Sequence, residues 1–363
     1  MRVAALEAIP VGLPFSRPYV TATGRLERRE MLIVRIAAAD GTLGWGDAVP
    51  MSLRGGPGLD AVRDDLERRC LPALTGAAIG SNAEAISRCR SAGAGAQALS
   101  AIDIALLDLR GRLEDRPAWR LLGATSAAAV PCNATLGADD PGPAGDAAAA
   151  AVRSGFGTIK VKVGDADDVE RIRAVRAAAG PKMRLRVDAN GAWTVEQALA
   201  RLATIEPLGI ELAEQPCAGA TELGAVRTAS PIPVVADESV TDLDDAGNGY
   251  ARGCFDAATL KLAKVGGPNA AVAIAAAVPA YLSSALDSAI GIAAAAHTVQ
   301  AIKRRDFAAG LAHGLATSAL FADNVADDGA LSGPEIAVTD RPGLGIDVDE
   351  TTLRKWAVAE GVA

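Results

Sequence analysis

The sequence predicts an α/β protein: a (β/α)8-type barrel carrying an α+β capping domain made from the N-terminal part and the C-terminal tail. Three observations predict it. From about residue 130 the chain alternates short apolar or β-branched runs with helical patterns, eight times in roughly 190 residues, the rhythm of a closed parallel barrel. Before that point the order is different, strands first and helices after. Third, five consecutive predicted barrel strands end in a charged residue: Lys162, Asp188, Glu214, Asp237 and Lys261. In a barrel the carboxyl ends of the strands form one face, so these side chains should converge there.

The predicted divisions are 1–124 for the cap, 125–325 for the barrel and 326–363 for a segment that returns to the cap. Residues 1–10 and 31–38 read as strands of a small sheet, and Gly44-Trp45-Gly46 as a third. Phe15 to Glu30 is polar with a Gly and reads as a mobile loop, and Pro50 to Gly58 as a second. Residues 59–122 are helical, with apolar spacing strongest over 98–109. Barrel strands are expected near 130–135, 158–163, 183–188, 210–214, 233–236, 257–261, 280–284 and 306–310. Helices fall between them, at 167–179, 194–204 and 268–278 among others. Ile336-Ala337-Val338 is strand-like, and a short helix is expected over 350–359.

Composition removes several function classes. The chain of 363 residues is 50% hydrophobic, enough for a large core, and its net charge is −8. That balance argues against a nucleic-acid partner. Met1 to Glu7 lacks the apolar stretch of a secretion signal, and no run of strongly apolar residues is long enough to span a bilayer. Five Cys without paired spacing fit a reducing cytoplasm better than a disulfide framework. With only His297 and His313 present, a His-rich metal site or a Ser-His-Asp triad is not expected. His297 reads as a packed helical residue and His313 as a loop residue. Cys132, Cys217 and the other cysteines read as small buried fillers.

The most informative stretch is Thr158 to Gly164, with Lys160 and Lys162 inside a β-branched strand. Side chains alternate across a strand, so both lysines point one way while Ile159, Val161 and Val163 point the other. The next three strands end in Arg186-Val187-Asp188-Ala189-Asn190, Leu212-Ala213-Glu214-Gln215-Pro216 and Val235-Ala236-Asp237-Glu238-Ser239. Asp188 and Glu214 are 26 residues apart and Glu214 and Asp237 are 23, each about one β/α unit. Three carboxylates brought together repel each other and call for a cation. An all-oxygen set favours a hard ion, Mg²⁺, with Mn²⁺ as a substitute.

These motifs together resemble the enolase superfamily in its muconate-lactonising-enzyme-like branch. The resemblance rests on Lys160-Val161-Lys162, on Asp188, Glu214 and Asp237, on Lys261, on Asp188-Ala189-Asn190-Gly191-Ala192-Trp193 and on Glu214-Gln215-Pro216. It implies that the three carboxylates hold Mg²⁺ and that the reaction begins by removing a proton next to a substrate carboxylate. A lysine base must be neutral to act, so its pKa should be depressed by the metal and the other cations. Lys162, nearer the barrel mouth, is the expected base, Lys160 an electrostatic support, and Lys261 a second acid/base or a fixed cation. Asn190, Ser283, Ser284 and Gly314 are the expected substrate contacts, and Gly266-Gly267 could offer backbone N–H groups to a substrate carboxylate. Lys264 has no assigned role.

Leu282 to Gly291 and Ala312 to Thr317 resemble o-succinylbenzoate synthases, which implies dehydration of 2-succinyl-6-hydroxy-2,4-cyclohexadiene-1-carboxylate, a step in menaquinone synthesis. The alternatives are N-acylamino-acid racemisation, which shares the two-lysine site, and dipeptide epimerisation. Residues 306–320 lack the Asp-x-Asp that such epimerases carry, since Asp306 stands alone. The long, charged stretch at 16–30 is closer to racemases and lactonising enzymes. A non-catalytic binding protein on the same scaffold is the remote reading. The expected partner is a small-molecule carboxylate, with no nucleic acid and no membrane, and homo-oligomerisation is left open.

Overall fold

The computed structural model describes residues 1–21, 24–303, 306–327 and 329–358. Strands β1 (Val3–Thr21) and β2 (Gly24–Ala38) pair antiparallel over nearly their whole length, and β3 (Leu43–Ala48) adds to β2. The stretch from Phe15 to Glu30, expected as a loop, is therefore an extended two-stranded ribbon, residues 22 and 23 lying outside the described residues. Its charges, the buried Arg29 apart, sit on the ribbon surface, with Arg28 and Glu30 paired at 2.6 Å and Arg25 and Glu27 at 3.0 Å. Its apolar residues anchor it: the Phe15 ring stacks between Tyr19 and Phe321 with centroids 5.5 and 5.0 Å away.

The helix Ala96–Glu114 packs across this sheet. A Cβ on Gly44 would lie 2.3 Å from the Ala105 carbonyl oxygen, and one on Gly46 2.2 Å from that of Ala101. Glycine at both positions lets the strand lie directly on the helix backbone. Two buried carboxylates of that helix tie the cap to other segments. Asp108 accepts from the Trp45 and Leu344 amides, and Asp103 from the Asn269 amide and side chain.

The barrel sheet runs in the order β11-β10-β9-β8-β7-β6-β5, all parallel. The strands are β5 (Ala134–Leu136), β6 (Thr158–Lys162), β7 (Arg184–Asp188), β8 (Ile210–Glu214), β9 (Val234–Ala236), β10 (Ala257–Leu260) and β11 (Ala280–Leu282). The expected first strand is split. β4 (Val130–Pro131) leaves the barrel and pairs antiparallel with β12 (Glu335–Ile336), where Ile336-Ala337-Val338 was expected to be strand-like.

The eighth strand is not at 306–310. Asp306–Gly310 is a 3₁₀ helix, and Phe307, Ala308 and Leu311 pack with Leu212, Val235, Ala257 and Tyr281 inside the barrel. Closure falls to His313 and Gly314, which bridge Cys132 and Ser283 in parallel. The Gly314 amide donates to the Leu282 carbonyl at 2.9 Å, and the Asn133 amide to that of His313 at 2.9 Å.

The last described residues lie on the cap. Helix Glu350–Trp356 is shorter than the expected 350–359, whose last residue lies outside the described ones. Ala357 bridges Val11, and the Val358 amide donates to the Pro10 carbonyl at 3.0 Å. No helix among the described residues is long and apolar enough to cross a membrane.

Candidate active site

The alternation in β6 buries Ile159 and Val161 on one side and turns Lys160 and Lys162 to the other. Parallel register then sets the acids beside them: Lys162 lies opposite Asp188, and Asp188 opposite Glu214. Asp237 follows β9 and Lys261 follows β10. All six predicted lysines and acids are thus brought together.

Each acid meets ammonium groups. Lys160 Nζ donates to both Glu214 oxygens at 2.7 Å and lies 2.8 Å from Asp188 Oδ2. Lys162 Nζ donates to Asp188 Oδ2 at 2.5 Å and to Asn190 Oδ1 at 2.8 Å. Lys261 Nζ donates to Asp237 Oδ2. Lys264, unassigned from sequence, reaches Asp237 Oδ1 at 2.8 Å and also donates to the Asp237 carbonyl. It completes a four-lysine cluster. Among the described residues, no three His, Cys, Asp or Glu side chains gather closely enough to form a ready metal cage. Lys160 instead lies between two of the acids.

The electrostatics follow from burial set against pairing. Burial works against the Lys160 ammonium, but Asp188 and Glu214 outweigh it and hold its pKa well above the usual lysine value. Burial likewise opposes the Asp188 and Asp237 carboxylates, yet the lysines keep both below the ordinary range. At Lys261, expected as a second acid/base or a fixed cation, burial opposes the ammonium but Asp237 overcomes it and the pKa is raised. Lys264 goes the other way, lowered chiefly by burial. Glu238 is raised, first by burial and then by Asp237.

Sequence reasoning missed three polar residues that build this floor. Tyr281 is buried and its hydroxyl donates to Glu214 Oε2 at 2.8 Å. Its signal was the period of two that links it to Ser283. Gln215, at φ 39°, accepts from the Asp237 amide at 2.8 Å and donates to Ser239 Oγ at 2.6 Å, fixing the turn that carries Asp237. Glu238 accepts from Asn190 Nδ2 at 3.1 Å.

Above the floor a cavity opens toward the cap. Lys160, Lys162 and Lys261 line one end, and Arg29 of β2 lines it from the cap. Ser283, Ser284 and Gly314 line the wall as expected, whereas Asn190 is engaged with Lys162 and Glu238. Ser284 Oγ is itself committed to Asp287 Oδ2 at 2.7 Å. Pro50, Met51 and Leu53 of the second predicted loop also face this cavity.

The remaining candidates are structural. Both Gly266 and Gly267 donate their amides to the Leu262 carbonyl, and a Cβ on Gly267 would lie 2.8 Å from Asp103 of the cap. This pair serves packing, not a substrate carboxylate. His313 Nδ1 accepts from the Leu282 amide where the barrel closes. His297 accepts from the Trp119 amide, and burial lowers its pKa to about 4. All five cysteines are buried and free, and burial raises Cys132 to about 12.

Comparison with known proteins finds one family over both parts of the chain. Residues 5–123 match the mandelate racemase / muconate lactonizing enzyme N-terminal domain, and residues 144–352 the enolase C-terminal domain-like family. The chain is 30% identical to L-Ala-D/L-Glu epimerase of Bacillus subtilis (strain 168), over 95% of this chain and 97% of that protein. It is 37% identical to o-succinylbenzoate synthase of Thermobifida fusca (strain YX), over 55% of this chain and 63% of that protein. N-succinyl Arg/Lys racemase from Bacillus cereus ATCC 14579 superposes with a TM-score of 0.92 at 25% identity, covering 99% of each chain. A dipeptide epimerase from Cytophaga hutchinsonii, complexed with Mg and the dipeptide D-Ala-L-Val, gives 0.90 at 28% identity and 98% of each.

Proposed function

Because the chain belongs to the enolase superfamily, in its mandelate racemase and muconate lactonizing enzyme branch, we propose that it is a Mg²⁺-dependent hydro-lyase, an o-succinylbenzoate synthase. The observation that carries the reading is the charge of the cavity. Its charged lining is Lys160, Lys162 and Lys261 from the barrel and Arg29 from the cap, with no carboxylate among the described lining residues. A substrate with a carboxylate at each end, one on the ring and one on the succinyl chain, matches that distribution. A dipeptide, with an ammonium to be held, matches it less well.

In this reading Asp188, Glu214 and Asp237 hold the ion. Their oxygen donors suit a hard cation, and the Lys160 ammonium, 2.7–2.8 Å from Glu214 and Asp188, marks a place already built for positive charge. Bound there, Mg²⁺ would act as a Lewis acid on the substrate carboxylate. Lys162 takes the proton from the carbon bearing that carboxylate. The C–O bond to the ring hydroxyl then breaks, Lys162 returns the proton to the departing oxygen, and the products are water and an aromatic ring. Lys160 and Lys261 offset the negative charge that develops as the proton leaves. The division at residues 124 and 325 and a cytoplasmic setting belong to the same proposal.

N-succinyl amino acid racemisation is the second reading, supported by Lys162 and Lys261 lining one cavity from different strands. Assays of the purified protein with the cyclohexadiene substrate, N-succinyl amino acids and dipeptides, with and without Mg²⁺, separate these activities. Dehydration should be fastest and should cease in chelator. Efficient racemisation or epimerisation without dehydration would overturn the assignment.

A further inference from the structure

The wall segment Ser284-Ala285-Leu286-Asp287-Ser288 is held in an unusual way. Each of its last four amides donates to a side-chain oxygen. Ala285 N reaches Asp287 Oδ2 at 2.8 Å, and Leu286 N and Asp287 N reach Ser284 Oγ at 2.9 and 3.0 Å. Ser288 N reaches Asp47 Oδ2 at 2.9 Å, 241 residues away. The turn places Leu286, a non-glycine residue, at φ 67°, and Ser284, Ala285 and Leu286 all line the substrate cavity. A left-handed leucine costs energy and persists only where its surroundings impose it.

Those surroundings come from the cap. Asp47 is the penultimate residue of β3 and is buried. Its Oδ2 also accepts from Ser288 Oγ at 2.8 Å, and Ser288 in turn caps helix Ala289–Ala301. A Cβ on Gly291 would lie 2.6 and 2.7 Å from the two Asp47 oxygens and 2.7 Å from Asp287 Cβ, so only glycine admits the cap carboxylate here. Arg29, also from the cap, donates to the Ala285 carbonyl at 3.3 Å. The cap therefore grips the turn at both of its ends.

We propose that Asp47 is a positioning residue: by holding Ser288 it sets the left-handed Leu286 turn that forms one wall of the substrate cavity, so that seating the cap and shaping the pocket are a single event. Asp47 touches no substrate and acts through Ser288, Asp287 and Leu286. The inference rests on this cavity being the substrate site, whichever of the proposed reactions occurs there. It assigns the Ser284 hydroxyl to the turn, where Leu286 supplies shape to the wall.

The test compares Asp47→Ala, Asp47→Asn, Leu286→Ala and the double variant Asp47→Ala/Leu286→Ala in the full chain, with amide hydrogen exchange and with kcat and KM. Asp47→Ala should speed exchange at residues 285–288 about tenfold while the barrel strands stay protected. It should lower kcat/KM by up to roughly 100-fold, the scale of an ångström-sized misplacement, mostly through KM. Asp47→Asn keeps an acceptor for Ser288 and should recover most of both. In the Leu286→Ala background, removing Asp47 should have little further effect on KM. Unchanged exchange at 285–288, or fully additive effects of the two substitutions, would overturn the proposal. If Asp47→Ala does not fold, Ser288→Ala carries the same expectations. If the protein turns over none of the substrates, the functional reading fails, and the exchange measurement still decides the role of Asp47.

Discussion

Lys160→Met tests whether the acids of this site, which hold the Lys160 ammonium, also accept the proposed Mg²⁺. Lys160 is 4% exposed, and its ammonium contacts both Glu214 oxygens and Asp188. Methionine fills similar volume but leaves two buried carboxylates short of one positive charge. Removing one partner of a buried pair costs about 3–5 kcal/mol. At about 2.1 cal/mol/K per residue, unfolding 363 residues carries an entropy of about 0.76 kcal/mol/K, so the melting temperature should fall by about 4–7 °C in chelator. A divalent ion held by the same acids would restore much of this. Ligand at 100 times its Kd stabilises the folded state by about 2.7 kcal/mol, or about 3–4 °C on this scale. The variant should respond to Mg²⁺ more strongly than the parent, in which the Lys160 ammonium competes for the same oxygens. Calorimetry in chelator and across a Mg²⁺ titration reads both quantities. A variant that melts with the parent in chelator, or an identical Mg²⁺ response in both proteins, would refute the view that Lys160 and the ion share these carboxylates.

Other consequences follow from groups on separate elements. Asp47 is raised from 3.8 to about 7, first by burial and then by Asp287 beside it, with Arg29 the nearby cation on the Asp287 side. The folded state therefore keeps a proton that the unfolded chain releases. Stability should fall as pH rises from about 4 to about 7, by about 4 kcal/mol in all, and Asp47→Asn should flatten that slope in urea titrations at several pH values. A slope unchanged by the substitution would count against this pairing. Lys261→Arg keeps the charge but does not readily titrate. Dehydration should survive it at reduced rate; if racemisation is native, turnover should vanish while one enantiomer still exchanges its α-proton with deuterium through Lys162. Asp103→Ala strips acceptors from the Asn269 amide and side chain at the joint between cap and barrel. It should cost about 1–3 kcal/mol by denaturant midpoint and leave Mg²⁺ affinity unchanged.

The parts of this molecule that could be read from its sequence are those set by repetition. Lys160 and Lys162 were legible because a strand alternates with period two. Asp188 and Glu214 were legible because parallel register lines up equivalent positions of successive units, and they do lie opposite each other. The eighth strand was not, because closure needs only single bridges from His313 and Gly314, while the apolar run at 307–311 packs inside the barrel and leaves no strand there. The charged ribbon at 15–30 was read as a loop because its few core-facing residues, Phe15, Tyr19 and Leu26, are spread among charged and polar ones and alternate weakly. Lys264 was unassigned because a short helix, Leu262–Val265, turns it back onto Asp237. The residues that shape the pocket are distant in a stronger sense. Arg29 meets Ala285 across 256 positions, and Asp47 meets Ser288 across 241. No local period encodes either contact. Chemistry in this fold is written on repeating strand ends, whereas the pocket wall is written jointly by two distant segments. The family and its cluster of acids and lysines could therefore be read along the chain, while the choice among that family's reactions turns on the cavity where cap and barrel meet.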